Sequence, residues 1–342
     1  MVAYHLRFRS PVHLGERGIG QEEVRNYVPA DTLFSALCVM HSLLYGSDSL
    51  TEMLSRYNEK GREPFFLTSA FPFAGEVRFY PKPLQPPNSE PEDAKRWKSI
   101  RWVSERVFQS YLQGEPIDLQ PASAPNSAGA QLLLQDGELL IHPEERDSLQ
   151  PFWDYENDDL RIYRRAVVPR VTLDRITSSS QIWHFGEVHF AEGCGLWFGV
   201  EFGEPSSRVP LESCLRLLGD TGLGGERGAG RGLFQFEQHG WQVNTPNPAT
   251  RFVTLSPWLP ATLEERQWLQ QSGSAYELTH KYGWLSSPTA NNLRRKEVWM
   301  VTEGSVIDAP PQFRIGQLVD LSPDLAPHPI YRYGYAFPIG VK

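Results

Sequence analysis

A chain of 342 residues with 40% hydrophobic, 12% aromatic and 22% charged residues has ordinary globular composition and length for about two domains, which excludes disordered, collagenous and coiled-coil classes. No apolar run approaches a membrane span, and Met1 to Arg9 lacks the charged-then-apolar order of a signal peptide, so the chain reads as soluble and cytoplasmic, without a membrane partner. The formal net charge of −8 speaks against a uniformly cationic, polyanion-binding surface, and Cys38, Cys194 and Cys214 are too few and too widely spaced for a disulfide framework or a zinc site.

In chain order, Tyr4-His5-Leu6-Arg7-Phe8-Arg9 alternates apolar and polar residues as a half-buried strand does. Asp31 is placed to cap a helix over 32–44, where Leu33, Leu37, Met40 and Leu44 recur at helical spacing and Gly46 marks the end. Short strands are expected at 65–68 and 77–80, around Phe71-Pro72-Phe73. From Gln85 the composition shifts. Pro86, Pro87 and Pro91 open an insertion of about 88–160, in which a basic amphipathic helix near 94–112 precedes an acidic stretch. Strands at 166–173 and 182–190, joined by a polar tip over 174–180, form a long hairpin. A strand at 196–202, a helix at 211–218, a glycine loop and a strand at 232–237 follow. Asn244-Thr245-Pro246-Asn247-Pro248 has linker composition and divides the chain into units 1–243 and 244–342. The second unit repeats the grammar, with a strand at 251–255, a helix at 263–271 and strands near 276–284, 297–301 and 331–337. The class expected is α+β with mainly antiparallel sheets.

The charge is segregated. Residues 115–160 hold eleven acids against Arg146, a net of −10, whereas Arg161, Arg164, Arg165, Arg170 and Arg175 oppose only Asp174 over 161–175, a net of +4. An acidic protein with a local polyanion site has this distribution. The glycine loop Gly219-Asp220-Thr221-Gly222-Leu223-Gly224-Gly225-Glu226-Arg227-Gly228-Ala229-Gly230-Arg231-Gly232 combines backbone freedom with two arginines, a composition suited to an anion-binding nest. It lacks the Gly-Lys-Ser/Thr of a phosphate-binding Walker loop. At the hairpin tip, Arg170, Asp174, Arg175, Thr177 and Ser178 supply guanidinium and hydroxyl groups that can hold phosphates and sugars. Tyr331, Tyr333, Tyr335 and Phe337 alternate along the last strand, as either a base-stacking platform or, more commonly, a core face.

These pieces together resemble a known family. Pro11-Val12-His13-Leu14-Gly15, Asp31-Thr32-Leu33-Phe34-Ser35-Ala36-Leu37, Phe71-Pro72-Phe73 with Pro81-Lys82-Pro83, Thr172-Leu173-Asp174-Arg175, the glycine loop and Pro329-Ile330-Tyr331-Arg332-Tyr333-Gly334-Tyr335 are similar, in order and spacing, to the fourth subunits of type III-A (Csm) CRISPR effector complexes, within the RAMP superfamily. The resemblance implies two ferredoxin-like, RRM-related domains, the first with an inserted thumb. It implies a non-catalytic, cofactor-free RNA-binding subunit that holds the 5′ tag of the crRNA and bridges the large cyclase/polymerase-like subunit to the backbone RAMP subunit in antiviral defence. By the same resemblance, Arg170, Asp174, Arg175, Thr177 and Ser178 form the guide-contacting hairpin, and Gly222, Gly224, Gly225, Arg227, Gly230 and Arg231 the cradle for tag phosphates.

Three rival readings stand beside it. A metal-independent crRNA-processing endoribonuclease of the same superfamily would use His41 or His13 as general acid or base. The equivalent subunit of a type III-B complex shares the same domains. A protein-interaction scaffold would use its charged segments for docking alone.

Overall fold

The computed structural model describes every residue except 16–23, 60, 88–90, 118, 120–131, 136, 157–158, 288–289 and 325. Its principal sheet is organised around the strand Val2–Phe8, which lies antiparallel between Phe234–Gly240 and Cys194–Phe202. Beyond Cys194–Phe202 come Phe71–Ala74, Val77–Pro81, Trp102–Ser104, Leu139–Ile141 and Leu132–Leu134, while Phe65–Leu67 continues the pairing along Cys194–Phe202. Among the described strands, Trp102–Ser104 with Leu139–Ile141 is the one parallel pair. The helices Ala30–Ser55 and Arg208–Thr221 make the crossovers and pack against each other.

Alternation in the first strand suggests one buried face, yet Ala3, Tyr4, His5 and Leu6 are all fully buried. The reason is the strand's central position. Tyr4 lies against Phe198 and Phe236 and bonds Glu212 of the second crossover helix at 3.0 Å, while His5 on the opposite face packs on Phe73. The first crossover helix begins one residue before the expected cap. Pro29 precedes it, the Ala30 amide donates to Ser69 Oγ at 2.8 Å, and Asp31 lies inside the first turn without capping anything. Gly46 (φ 86°, ψ 166°) breaks this helix as foreseen, but a second segment continues to Ser55 because glycine absorbs the kink.

The insertion differs from its expected form. The single basic helix near 94–112 is two helices, Pro91–Ser99 and Glu105–Gln113, separated by Trp102–Ser104, which finds strand partners on both sides. Trp97, Trp102, Val103, Phe108, Leu139 and Leu140 are buried in the same apolar cluster as the first strand, so the described part of the insertion widens the main sheet.

In the C-terminal part Arg251–Thr254 pairs with Val306–Ile307 and Pro338–Val341, and Tyr331–Tyr335 pairs with Gly316–Asp320. The aromatic stripe is core. Tyr333 packs on Phe34 at 5.0 Å and accepts the Leu67 amide at 3.0 Å, and the Tyr335 hydroxyl donates to the Tyr57 carbonyl at 2.9 Å. Asp31, 1% exposed, meets Lys281 Nζ at 2.9 Å and the Arg332 guanidinium. Burial pushes the Asp31 carboxyl upward, but the two cations outweigh it and hold the group below its usual range.

Candidate nucleic-acid interface

The glycine loop leaves the helix Arg208–Thr221 and folds over Pro11–Leu14. The Gly225 amide donates to the His13 carbonyl, Gly232 to Pro11 and Leu223 to Gly232, each at 2.9 Å. A Cβ on Gly224 (φ 98°) would lie 2.3 Å from the His13 carbonyl oxygen, and one on Gly222 (φ 92°) 2.3 Å from that of Arg231. Gly222 and Gly224 therefore admit the protein's own backbone, and Gly225, where a Cβ would lie 2.6 Å from His13 Cδ2, admits the His13 ring. The apex is different. Glu226 through Gly230 are exposed, a short turn runs over Arg227–Ala229, and side-chain positions at Gly228 and Gly230 would meet nothing within 4 Å. Among the described residues the amides of Arg227 and Gly228 have no acceptor, so this apex is an open donor surface beside a guanidinium.

The long hairpin, Tyr163–Leu173 with Ser180–Phe190, is clamped to this loop at its base. Val12 and Val188 exchange two backbone hydrogen bonds of 2.9 Å. His13 Nδ1 donates to the Gly186 carbonyl at 2.7 Å, and its ring stacks on Phe185 with centroids 4.3 Å apart. Arg231 reaches Glu187 at 2.9 Å, and the other oxygen of Glu187 lies 2.8 Å from His189 Nε2. Arg231 thus joins loop to hairpin, and its charge faces a buried carboxylate. Sequence reasoning passed over Glu187, although a carboxylate inside the apolar run Phe185-Gly186-Glu187-Val188 was a usable signal.

The outer half of the hairpin pairs with no other strand among the described residues. At its tip Asp174 Oδ1 accepts the amides of Ile176 at 2.7 Å and Thr177 at 3.2 Å, bonds that hold its carboxyl below the usual range. Asp174 therefore shapes the turn, while Arg175, Thr177 and Ser178 are exposed and Arg170 lies over the Phe185 ring at 5.6 Å. Two of the five arginines of this segment are offset by the acidic insertion. Arg165 pairs with Glu138 at 2.9 Å, and Arg161 lies 3.6 Å from Asp154. Of the remaining positive charge, Arg164 lies at the base opposite His189, while Arg170 and Arg175 lie toward the tip. Seven strand positions separate the Ala166/Glu187 pair from the Leu173/Ser180 pair, so base and tip are roughly 24 Å apart. The expected site residues accordingly occupy two ends of one surface rather than one pocket.

The histidines of the rival nuclease are elsewhere and apart. His13 is locked in the seam just described. His41 lines a cavity of about 250 Å³ between the crossover helices, with Cys38, Ser49, Glu52, Arg56 and Cys214. Its Nε2 lies 3.0 Å from Ser49 Oγ, and burial lowers its pKa. Burial also pushes the Cys214 thiol up to about 11, leaving it protonated and a poor nucleophile. No group of three or more potential metal ligands occurs among the described residues, and none of their helices is long and apolar enough to cross a membrane.

Residues 247–341 match the family model for the CRISPR Csm4 C-terminal domain. Over 333 residues the chain is 28% identical to the CRISPR system Cms protein Csm4 of Thermococcus onnurineus (strain NA1), covering 97% of this chain and 98% of the relative. It is 26% identical to the protein of the same name from Mycobacterium tuberculosis (strain CDC 1551 / Oshkosh), covering 94% and 91%. In fold it is similar to a chain of the Csm3-Csm4 subcomplex of the type III-A CRISPR-Cas interference complex (TM-score 0.68, 16% identity, 100% of both chains). A chain of the Csm1-Csm4 cassette in complex with cA4 is similar as well (TM-score 0.58, 23% identity, 100% of this chain and 97% of that one). The fold is that of the Csm4-containing chains of solved type III-A CRISPR assemblies. The chain is thus similar over nearly its whole length to Csm4 proteins, and its residues 247–341 match their C-terminal domain.

Proposed function

We propose that this chain is the guide-holding, non-catalytic subunit of a type III-A (Csm) effector complex, that it grips the 5′ tag of a crRNA along the hairpin and the glycine loop, and that it bridges the large cyclase/polymerase-like subunit to the backbone RAMP subunit. The observation that carries the RNA assignment is the clamp. A cationic hairpin is fixed at its base to a loop whose apex offers free amides and Arg227, a surface suited to a single-stranded phosphate backbone. The strand–helix–strand–strand–helix–strand order of the principal sheet supports a ferredoxin-like unit, with the hairpin and the 88–160 excursion as its thumb. The bridging role is supported by similar folds solved in a Csm1-Csm4 cassette and in a Csm3-Csm4 subcomplex. A non-catalytic role fits the separate settings of the two histidines, one nitrogen of His41 being held by Ser49 Oγ and one of His13 by the Gly186 carbonyl.

The test is fluorescence anisotropy with tag-bearing RNA, scrambled-tag RNA and matching DNA over a salt series, with the same samples run on a gel. Wild type is expected to prefer the tag and leave the RNA intact. Joint Arg175→Ala and Arg227→Ala replacement should weaken binding and reduce the slope of log affinity against log salt by about 1.4, at about 0.7 per phosphate contact on a single strand. An unchanged affinity and slope would refute the assignment. Metal-independent cutting abolished by His41→Ala would refute the non-catalytic reading.

A further inference from the structure

A two-stranded ribbon lying on a protein surface ordinarily turns its polar side chains to water and its apolar ones inward. The ribbon Leu278–Lys281 with Val298–Val301 departs from this by turning large aromatic side chains to water. Its inner face carries Met300, fully buried, and Lys281, 8% exposed and paired with Asp31. Its outer face carries Leu278, His280 and Trp299, with Tyr282 just beyond the strand; Val301, opposite Leu278, is buried where the ribbon meets Trp258, while Leu278, Tyr282 and Trp299 are 50%, 49% and 58% exposed. His280 and Trp299 face each other in register, their rings stacked 4.7 Å apart at 17°, and Tyr282 lies 5.1 Å from the imidazole. Glu297 holds His280 Nε2 at 3.0 Å, which fixes the imidazole against the indole.

An exposed aromatic patch marks an interaction site, and its surroundings decide the partner. Lys281 is neutralised by Asp31 on the inner face, and the rest of 278–301 holds Arg294, Arg295 and Lys296 against Glu297, a net of +2 within a chain of −8. Prestacked rings in a cationic segment suit unpaired bases, since every base offers a π-face and brings a phosphate with it.

We infer that the His280–Trp299 ribbon, with Tyr282, is a base-stacking platform for one or two unpaired nucleotides of an RNA strand, separate from the hairpin and the glycine loop. It rests on the reading of this chain as a guide-holding protein.

The full chain is titrated with tag-bearing guide RNA as wild type, Trp299→Ala, Trp299→Phe and Tyr282→Ala. Trp299→Ala should weaken binding roughly tenfold, the usual scale for loss of one stacked base. Trp299→Phe should stay within about twofold, and the salt slope should not change, because no phosphate contact is lost. In parallel, wild type is photocrosslinked to guide RNA bearing 5-iodouridine and the adducts are mapped, which needs no variant to fold. Crosslinks at His280, Tyr282 or Trp299 support the platform. Equal affinity of Trp299→Ala and wild type, or crosslinks confined to 164–187 and 222–232, would overturn it and leave the guide-holding reading intact. A wild type that binds no RNA at any salt would overturn both. A Trp299→Ala protein that keeps its RNA affinity but no longer co-purifies with the large or backbone subunit would make the ribbon a protein-docking face and overturn the stacking assignment.

Discussion

His5 shows how a single side chain couples this fold to pH. Its ring lies 4.3 Å from Phe73 and 4.2 Å from His239, and its Nε2 accepts Arg78 Nε at 3.0 Å. Burial first, then the positive charge of Arg78, pushes its pKa from 6.5 to about 3. Above pH 6.5 both folded and unfolded chains hold His5 neutral, so it adds no pH dependence there. Between 6.5 and about 3 the unfolded chain binds a proton that the folded chain refuses, so stability falls as the pH falls. His5→Gln, which keeps an acceptor for Arg78 and cannot titrate in this range, is expected to flatten the loss of melting temperature across that window. An equally steep profile in the variant would show that other groups dominate. Little of this was legible in the sequence, where His5 is one polar letter in an alternating strand. Asp31 was misread for the same reason: its partners Lys281 and Arg332 lie 250 and 301 residues away, and local spacing suggested only a helix cap.

Single elements were more legible where their signals are local. The hairpin announced itself through long β-rich runs and a polar tip, and it lies within a few residues of its expected bounds. The three-residue strand Trp102–Ser104 could not be seen, because it becomes a strand only when Val77–Pro81 and Leu139–Ile141 offer it edges. The glycine loop was recognisable as unusual backbone, but composition alone could not separate glycines that admit protein from glycines that face water. The structure separates them, and the difference is measurable. Gly232 has φ 74°, and a Cβ there would lie 2.0 Å from the Leu223 carbonyl oxygen. Gly232→Ala should therefore destabilise the protein by about 2–4 kcal/mol, through backbone strain and a steric clash. Gly228, with open space around it, should accept alanine with a change of less than about 0.5 kcal/mol. Denaturant midpoints decide between them, and equal effects at both positions would contradict this division of the loop.

For the molecule as a whole, the two sides of the 244–248 run share one apolar core: Val253, Leu255, Tyr333, Phe337 and Ile339 belong to the same cluster as Leu6, Phe34 and Trp197. The Asp31–Lys281–Arg332 group lies in this junction, almost wholly out of water. Breaking a buried ion cluster by removing one partner leaves uncompensated charge, and Asp31→Asn is expected to cost about 3–5 kcal/mol. A urea melt of the variant should show the lower midpoint, and an unchanged midpoint would mean that the two cations find other partners. The mixed antiparallel class was legible from the alternation of patterns. The sharing of one core was not, because apolar periodicity reveals which face of an element is buried but not which distant element covers it.

The central place of Val2–Phe8 also bears on how the protein is made. Both of its neighbours, Cys194–Phe202 and Phe234–Gly240, are synthesised long after it. At about 5–20 residues per second the ribosome needs on the order of 10–40 s to reach the first of them. Throughout that interval an apolar strand has left the exit tunnel with neither edge satisfied, exposed to chaperones and to strands of other nascent chains. The sheet therefore assembles late and from distant pieces, and the yield of the intact protein in a cell depends on what shelters that strand while translation continues.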